Sequence, residues 1–391
     1  MKILLLNWKN GENDPFTYFN KCLQNKLYTL GKRSEILELN ENFENNFLKN
    51  LKEGIDFVIT WQGIASNLLN KKTGRNLWDE VKVPLFCLHG DHPCHKLQNH
   101  TAISDYIHHI YLAPSFCRYA NQFIPRATSA KFTILPNIFP TVSDSERHFS
   151  GDYFIFPKNH DDTQEMIRFW EEKYPQHIAK TLKEIADSIK TEYLNSNLKD
   201  HHEIIENFID QDFLEKSKSV FNTKNESLIR NHIHAITDKF YRNFISENIL
   251  TSLPDVKIQI YGRGWERFKA LNNKYHSFYS FDKAINGDFQ FQSNYGILDV
   301  APIYDTIHDR SFRALSQKNS FLIASSWDAA FFLNREFKGL FFNGKNNLLR
   351  SIVEDIIKDP DSHRSSATYF QSSYNQFYGF HQFLNYIECQ I

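Results

Sequence analysis

In the first third of the chain, short apolar or alternating runs at 2–7, 34–40, 55–61, 83–90, 106–113 and 132–136 alternate with stretches of helical spacing such as 41–52 and 115–123. Runs of this length bounded by turn residues predict strands, and apolar positions three and four apart predict amphipathic helices. Their regular succession implies right-handed crossovers and a mostly parallel sheet. A second start comes at Asp152-Tyr-Phe-Ile-Phe156, after the polar stretch 142–151, which reads as an interdomain linker. Residues 161–250 carry no strand signal and no glycine, and 167–174, 178–194 and 229–244 have helical spacing, so a helical insertion or subdomain is expected there. From 256 the alternation resumes, with strands predicted at 257–261, 276–279, 295–300, 320–324 and 340–342, and helices at 347–358 and 365–388. In the last of these Phe370, Tyr374, Phe377, His381 and Leu384 recur at helical spacing, which predicts a face packed back on a domain.

Length turns this pattern into two units. A chain of 391 residues exceeds one ordinary core. The expected architecture is α/β with two Rossmann-like domains facing a cleft: 1–148, then 149–366 with its helical insertion, and 367–391 as a C-terminal helix packing back. Lys and Arg number 45 against 46 Asp and Glu, so no net charge draws the chain to nucleic acid or anionic lipid. A small polar or locally charged ligand fits better. The five cysteines, Cys22, Cys87, Cys94, Cys117 and Cys389, are odd in number and scattered, as expected of reduced thiols in a cytoplasmic protein. Met1-Lys-Ile-Leu-Leu-Leu6 stops being apolar at Asn7 with no small-residue cleavage site after it, and no run reaches the length of a membrane span. With 35 Phe and 18 Tyr but only 2 Met, aromatic rings must fill much of the core.

The candidate chemistry concentrates after strands of the second half, where open α/β sheets place their ligands. Tyr261-Gly262-Arg263-Gly264-Trp265 follows one predicted strand, and His308-Asp309-Arg310-Ser311-Phe312-Arg313 follows another. The two glycines allow a close backbone approach, by a diphosphate or simply in a tight strand-to-helix turn, and a helix beginning near Trp265 would add the positive end of its dipole. Arg263 and Arg310 can take phosphate oxygens with two parallel hydrogen bonds. Lys158, in Phe156-Pro-Lys-Asn-His-Asp161, follows the first strand of this half and is either a phosphate ligand or a solvated loop lysine.

These motifs, within residues 251–365, resemble the CgeB-like glycosyltransferases, a bacterial branch related to the group 1 enzymes with the pattern iYGxGW, then hxRxFEALAxG, then a strand. His89-Gly-Asp-His-Pro93 resembles a DHP segment of related proteins. The resemblance implies a GT-B fold, a nucleotide-diphosphate sugar as donor substrate, no tightly bound cofactor or metal, and a bacterial glycan or glycoconjugate acceptor bound mainly by the first domain. Any membrane association would then be peripheral, through that acceptor. It also implies that Gly262, Arg263, Gly264, Trp265, His308, Asp309, Arg310, Phe312, Arg313 and Lys158 surround the donor.

The chain departs from this pattern at two places. Arg313 stands where an acidic residue is usual, and Lys318 where glycine is usual. An arginine has no acceptor for ribose hydroxyls. Either Asp309 or Asp305 takes that role, or Arg313 meets phosphate, or the donor is unusual. A non-catalytic nucleotide- or sugar-binding member of a surface-assembly complex is the alternative these departures leave open.

In the first half His89, Asp91, His92, Cys94, His95 and His100 crowd one segment, but their spacing repeats no standard zinc motif, so no metal is expected. Asp91 or His92 is the expected base toward the acceptor hydroxyl, against a bland role bracing the loop before Pro93. Trp8, just after the first predicted strand, and Trp61, at the end of the third, are expected to stack on an acceptor sugar or to fill core.

Overall fold

The computed structural model describes residues 1–8, 15–124, 129–134, 136–142, 149–195, 201–268, 273–279, 291–300, 307–324, 339–342 and 346–390. Two compact units divide the chain, one built on Met1–Pro140 and Ser373–Ile391, the other on Thr141–Ile285 and Phe289–Ser372.

The first unit holds a six-stranded parallel sheet of β1 (Lys2–Asn7), β2 (Arg33–Glu38), β3 (Phe57–Trp61), β4 (Leu85–His89), β5 (Ile107–Tyr111) and β6 (Lys131–Phe132), in the order β2-β1-β3-β4-β5-β6. β1, β3 and β4 are buried along their whole length, as strands covered by helices on both faces must be. Helices α1 (Pro15–Thr29), α2 (Phe43–Glu53), α3 (Leu77–Val81) and α4 (Pro114–Phe123) connect them. On α3, Trp78 is fully buried, packed edge-on against Phe47 and donating from its indole N–H to the Ala65 carbonyl at 2.8 Å.

In the second unit the strands are β7 (Phe154–Pro157), β8 (Ile258–Tyr261), β9 (His276–Tyr279), β10 (Ile297–Val300), β11 (Phe321–Ala324) and β12 (Phe341–Phe342). They pair in parallel in the order β12-β11-β10-β7-β8-β9. Counted within the unit this is the doubly wound order 3-2-1-4-5-6, whose direction of winding reverses between β7 and β10. Five helices run between β7 and β8: α5 (Thr163–Lys173), α6 (Gln176–Leu194), α7 (His201–Glu206), α8 (Gln211–Val220) and α9 (Glu226–Ser252). One continuous apolar core joins them to the sheet through Ile178, Leu182, Ile185, Phe240, Ile245 and Ile249, together with Phe156, Ile260 and Leu298.

The final apolar helix expected over 365–388 is two helices, α12 (Pro360–Phe377) and α13 (Phe380–Glu388), after α10 (Asp309–Ser316) and α11 (Asn346–Lys358). The break falls at Gly379, whose backbone is extended and whose missing side chain leaves room for the Asn375 carbonyl: a Cβ there would lie 2.6 Å from that oxygen. α13 buries Phe383, Leu384 and Ile387, and Glu388 pairs with Lys32 at 3.0 Å within the first unit. No described helix is long and apolar enough to cross a membrane.

α9 also grips the loop that leaves β7. The carboxylate of Glu247, nearly buried, accepts from His160 Nε2 at 2.8 Å, from the Thr163 backbone N–H at 2.9 Å and from the Thr163 hydroxyl at 2.6 Å. Asn243, one turn earlier, accepts from the Asp161 N–H at 3.2 Å. Removing Glu247 would leave three buried donors to find other partners. Glu247→Ala is therefore expected to lower stability by about 2–3 kcal/mol in urea unfolding monitored by circular dichroism; a loss below about 0.5 kcal/mol would show that the loop does not depend on this anchor.

Candidate functional site

Where the second sheet reverses its winding, β7 ends at Pro157 and Lys158 follows, while β10 carries Asp299 one residue before its end. The register sets Ile297 opposite Ile155, so Asp299 lies level with Pro157. This strand burial pattern leaves only apolar neighbours along β10, and Asp299 is 1 % exposed.

A buried carboxylate needs partners. Arg310, in the first turn of α10, donates from Nη1 to Oδ1 at 3.0 Å. Oδ1 also accepts from the Val300 N–H at 2.9 Å, and Oδ2 accepts from the Ser311 hydroxyl at 3.4 Å. His308, just before the helix, sets Nδ1 3.2 Å from Asp299 Oδ2 and Nε2 3.2 Å from Asp309 Oδ1. Burial alone would push the Asp299 carboxyl up; the combined fields of His308, Arg310 and Lys158, with the His308 hydrogen bond, overcome it and hold its pKa at about 2. The anion therefore persists throughout the physiological range.

Lys158 feels the opposite environment. Burial first, then the positive charges of Arg242 and Arg310, drive its pKa down to about 7, against the partial support of Asp238 and Asp299. Arg242 and Asp238 come from α9: Asp238 Oδ2 accepts from Arg242 Nη2 at 2.8 Å, and Asp238 Oδ1 lies 3.1 Å from His201 Nε2. Three basic side chains thus gather around two buried carboxylates beside the carboxyl ends of the central strands. An anionic ligand arriving here would restore the full charge of Lys158.

Of the residues singled out in the sequence, Lys158, His308, Asp309 and Arg310 come together here. Asp299, Asp238 and Arg242 were not among them. Phe312 faces the core, fully buried. Arg313 is 3 % exposed, lies over the Phe291 ring at 5.2 Å and reaches within 3.9 Å of Asp309 Oδ2. Asp305 lies outside the described residues. Lys318, in the place of the usual glycine, has φ +53° and closes α10, with its N–H on the Leu315 carbonyl and the Asn319 N–H on the Ala314 carbonyl, both at 2.9 Å. That is the left-handed helix end which glycine favours.

The glycines of the Tyr261–Trp265 turn have a physical cause other than a bound phosphate. A side chain on Gly262 would run into the Lys158 carbonyl, and one on Gly264, at φ +90°, into the His160 carbonyl. The N–H groups here point to protein: Gly262 to the Tyr279 carbonyl at 3.4 Å, Arg263 to the Asn159 side chain at 3.0 Å, Gly264 to the Glu266 carboxylate at 3.0 Å. No helix long enough to present a dipole begins at Trp265; a three-residue 3-10 turn, Trp265–Arg267, takes its place. Trp265 is buried, stacks on His160 at 4.0 Å between ring centres and donates to the Lys158 carbonyl at 2.6 Å. This turn fixes the loop carrying Lys158. Beside it, a cavity of about 550 Å³ is lined by His160, Asp162, Phe169, Lys239 and Arg263 among others.

In the first unit, Asp91 is exposed just past β4, its N–H 3.4 Å from the Gln62 side-chain oxygen of the loop after β3. His92 is buried: Nδ1 accepts from the Cys94 N–H at 3.0 Å, and the ring meets Phe116 and Tyr119 edge-on. Trp61, 4 % exposed, donates to Asn20 at 2.9 Å and packs on Phe19, so its ring faces lie in the core. Trp8, by contrast, is 51 % exposed just past β1.

No protein-family model matches this sequence, and no curated protein matches it. Among solved structures, the chain is similar to an alpha-glucosyltransferase in complex with UDP, with 10 % identity, 98 % of each chain covered and a TM-score of 0.51. At that identity the likeness is one of fold. The chain has an α/β fold with two parallel six-stranded sheets like that of a GT-B glycosyltransferase.

Three substitutions test this account of the site. Asp299→Asn is expected to cost about 3 kcal/mol in urea unfolding, because Arg310 and Lys158 lose their buried counter-charge. Adding Lys158→Met should recover part of that loss, and strict additivity of the two would show that the charges do not interact. At the end of α10, Lys318→Gly is expected to stabilise by about 0.5–1 kcal/mol, the left-handed strain relieved less the added chain entropy; a lower melting temperature would contradict it.

Proposed function

We propose that this chain is a glycosyltransferase that moves a sugar from a nucleotide-diphosphate sugar to a glycan or glycoconjugate acceptor. The donor diphosphate sits where β7 and β10 diverge, against Lys158, Arg310 and Arg242. The observation that carries this reading is the basic cluster around buried Asp299 at the reversal point of a doubly wound sheet. The similar fold of a glucosyltransferase that holds UDP supports it. The YGRGW and HDRSF motifs add the narrower likeness to CgeB-like enzymes.

Breaking the bond between the sugar's anomeric carbon and the diphosphate leaves new negative charge on the departing oxygen. Arg310, held in place by Asp299, meets that charge without having to reorganise. Lys158 is poised to take up a proton as the charge grows. Asp309, kept in place by His308 and Arg313, offers carboxylate oxygens to the ribose hydroxyls, the role that Arg313 cannot fill. On the acceptor side, exposed Asp91 suits a base for the attacking hydroxyl better than His92, whose Nδ1 already accepts from Cys94. Trp8 offers an exposed ring for a sugar face.

Calorimetric titration with UDP-, GDP-, dTDP- and ADP-sugars tests the donor reading. One nucleotide class should bind, and its sugar should be slowly hydrolysed; absence of binding to all four sinks the proposal, and binding without turnover under varied acceptors points to a binding protein instead. Arg310→Gln should weaken that nucleotide at least about tenfold, and unchanged affinity removes Arg310 from the site.

Lys158 also sets a pH dependence. Its folded-state pKa is depressed, so the free protein loses this charge as pH rises through about 7. Between pH 7 and 9, above the titration of the nucleotide itself, affinity should fall by up to about tenfold per pH unit. The slope should vanish in Lys158→Met; a slope that survives there assigns the proton to another group.

A further inference from the structure

We propose that Cys87, His89 and His109 form a site for a divalent transition-metal ion of zinc type in the first unit, apart from the donor site. Cys87 and His89 stand two residues apart on β4 and so share a face. The parallel register sets His109 of β5 opposite Cys87, on that same face. Their ligand atoms all lie within 4.8 Å of one another, and the three residues are almost wholly buried, His109 being the most exposed at 2 %.

The donor set suits such an ion. One thiolate and two imidazoles are borderline-soft ligands, which zinc takes in tetrahedral geometry. Bonds of about 2.0–2.3 Å around a tetrahedral zinc put ligand atoms roughly 3.3–3.8 Å apart. His89 Nε2 and His109 Nδ1 are 2.9 Å apart, about half an ångström closer than two ligands of one zinc, and the Cys87 sulfur lies within 4.8 Å of a ring nitrogen of each, so modest shifts of the three side chains would admit the ion.

Packed rings hold the His89 imidazole in place. His100 lies over the His89 ring at 4.2 Å and Tyr111 lies against it at 4.7 Å, while His100 Nδ1 and the Tyr111 hydroxyl are themselves 2.8 Å apart. The sequence clustering of His92, Cys94, His95 and His100 concealed this set, because β5 supplies the third ligand.

A second cluster, His201, His202 and Asp238 on α7 and α9, meets the same distance limit. There Asp238 is already committed to Arg242 at 2.8 Å, so the carboxylate charge a metal would use is balanced by a cation. At the β4–β5 site binding would replace the Cys87 S–H bond by a sulfur–metal bond, the proton passing to solvent, with no change in oxidation state.

Cobalt(II) in place of zinc tests this directly, since sulfur ligation gives an intense thiolate-to-cobalt charge-transfer absorption that imidazole and carboxylate ligands lack. Because the site is buried, the full-length protein is produced in cobalt-supplemented medium. About one cobalt per chain should be retained after desalting, with the charge-transfer band present and the thermal midpoint falling on treatment with a chelator. Cys87→Ser should abolish the band, whereas His201→Ala should leave it unchanged. His109→Asn, which should weaken retention at least tenfold, gives a second reading if the serine variant does not accumulate. Folded wild-type protein that retains no cobalt, retains it without the band, or keeps the band in Cys87→Ser overturns the proposal.

Discussion

A single buried anion organises the second unit. Asp299 lies in a strand that is otherwise apolar, and a lone carboxylate in that setting would be neutral or intolerable. Its charge is kept because β10, α10 and the end of β7 bring His308, Arg310, Ser311 and Lys158 to it. The same convergence loads the carboxyl ends of β7 and β10 with more positive charge than the carboxylate can neutralise. Lys158 registers the excess as a weakened hold on its proton. A polyanionic ligand would relieve that imbalance, so binding and the internal electrostatics of the protein are one problem.

The alternation of strand and helix was legible because parallel strands buried on both faces leave continuous apolar runs, and 2–7, 83–90 and 320–324 are of this kind. The helical span after β7 was legible from spacing and from its lack of glycine. The end of the chain was not read as two helices, since the apolar spacing runs through 370–384 unbroken and only the close approach of Asn375 to Gly379 divides it. The helix expected after Trp265 failed for a related reason. A glycine pair at the end of a strand is read as room for a ligand, yet here the room is taken by another backbone, at Lys158 and His160.

At the site, Lys158, His308, Asp309 and Arg310 could be named because charged residues just past strand ends have few structural uses. Asp299 carried a usable signal, an acid among Ile297, Leu298 and Val300, that strand patterning alone passes over. Asp238 and Arg242 carried none. They sit in the middle of a long amphipathic helix, where charged residues are ordinary, and only the fold shows that they face Lys158 rather than solvent. Arg313, which looked like a functional departure, is buried with its guanidinium over the Phe291 ring.

The grip of α9 on the loop after β7 sets a scale of cooperativity. Through Glu247 and Asn243, the residues that follow Lys158 are bonded to a helix whose own stability comes from packing against α5 to α8. Local opening of such units exposes all their amides together. The loop should therefore share the exchange protection of the helical layer rather than that of the strand it extends, and a ligand bound at Lys158 would slow hydrogen exchange along α9, well away from its own contacts.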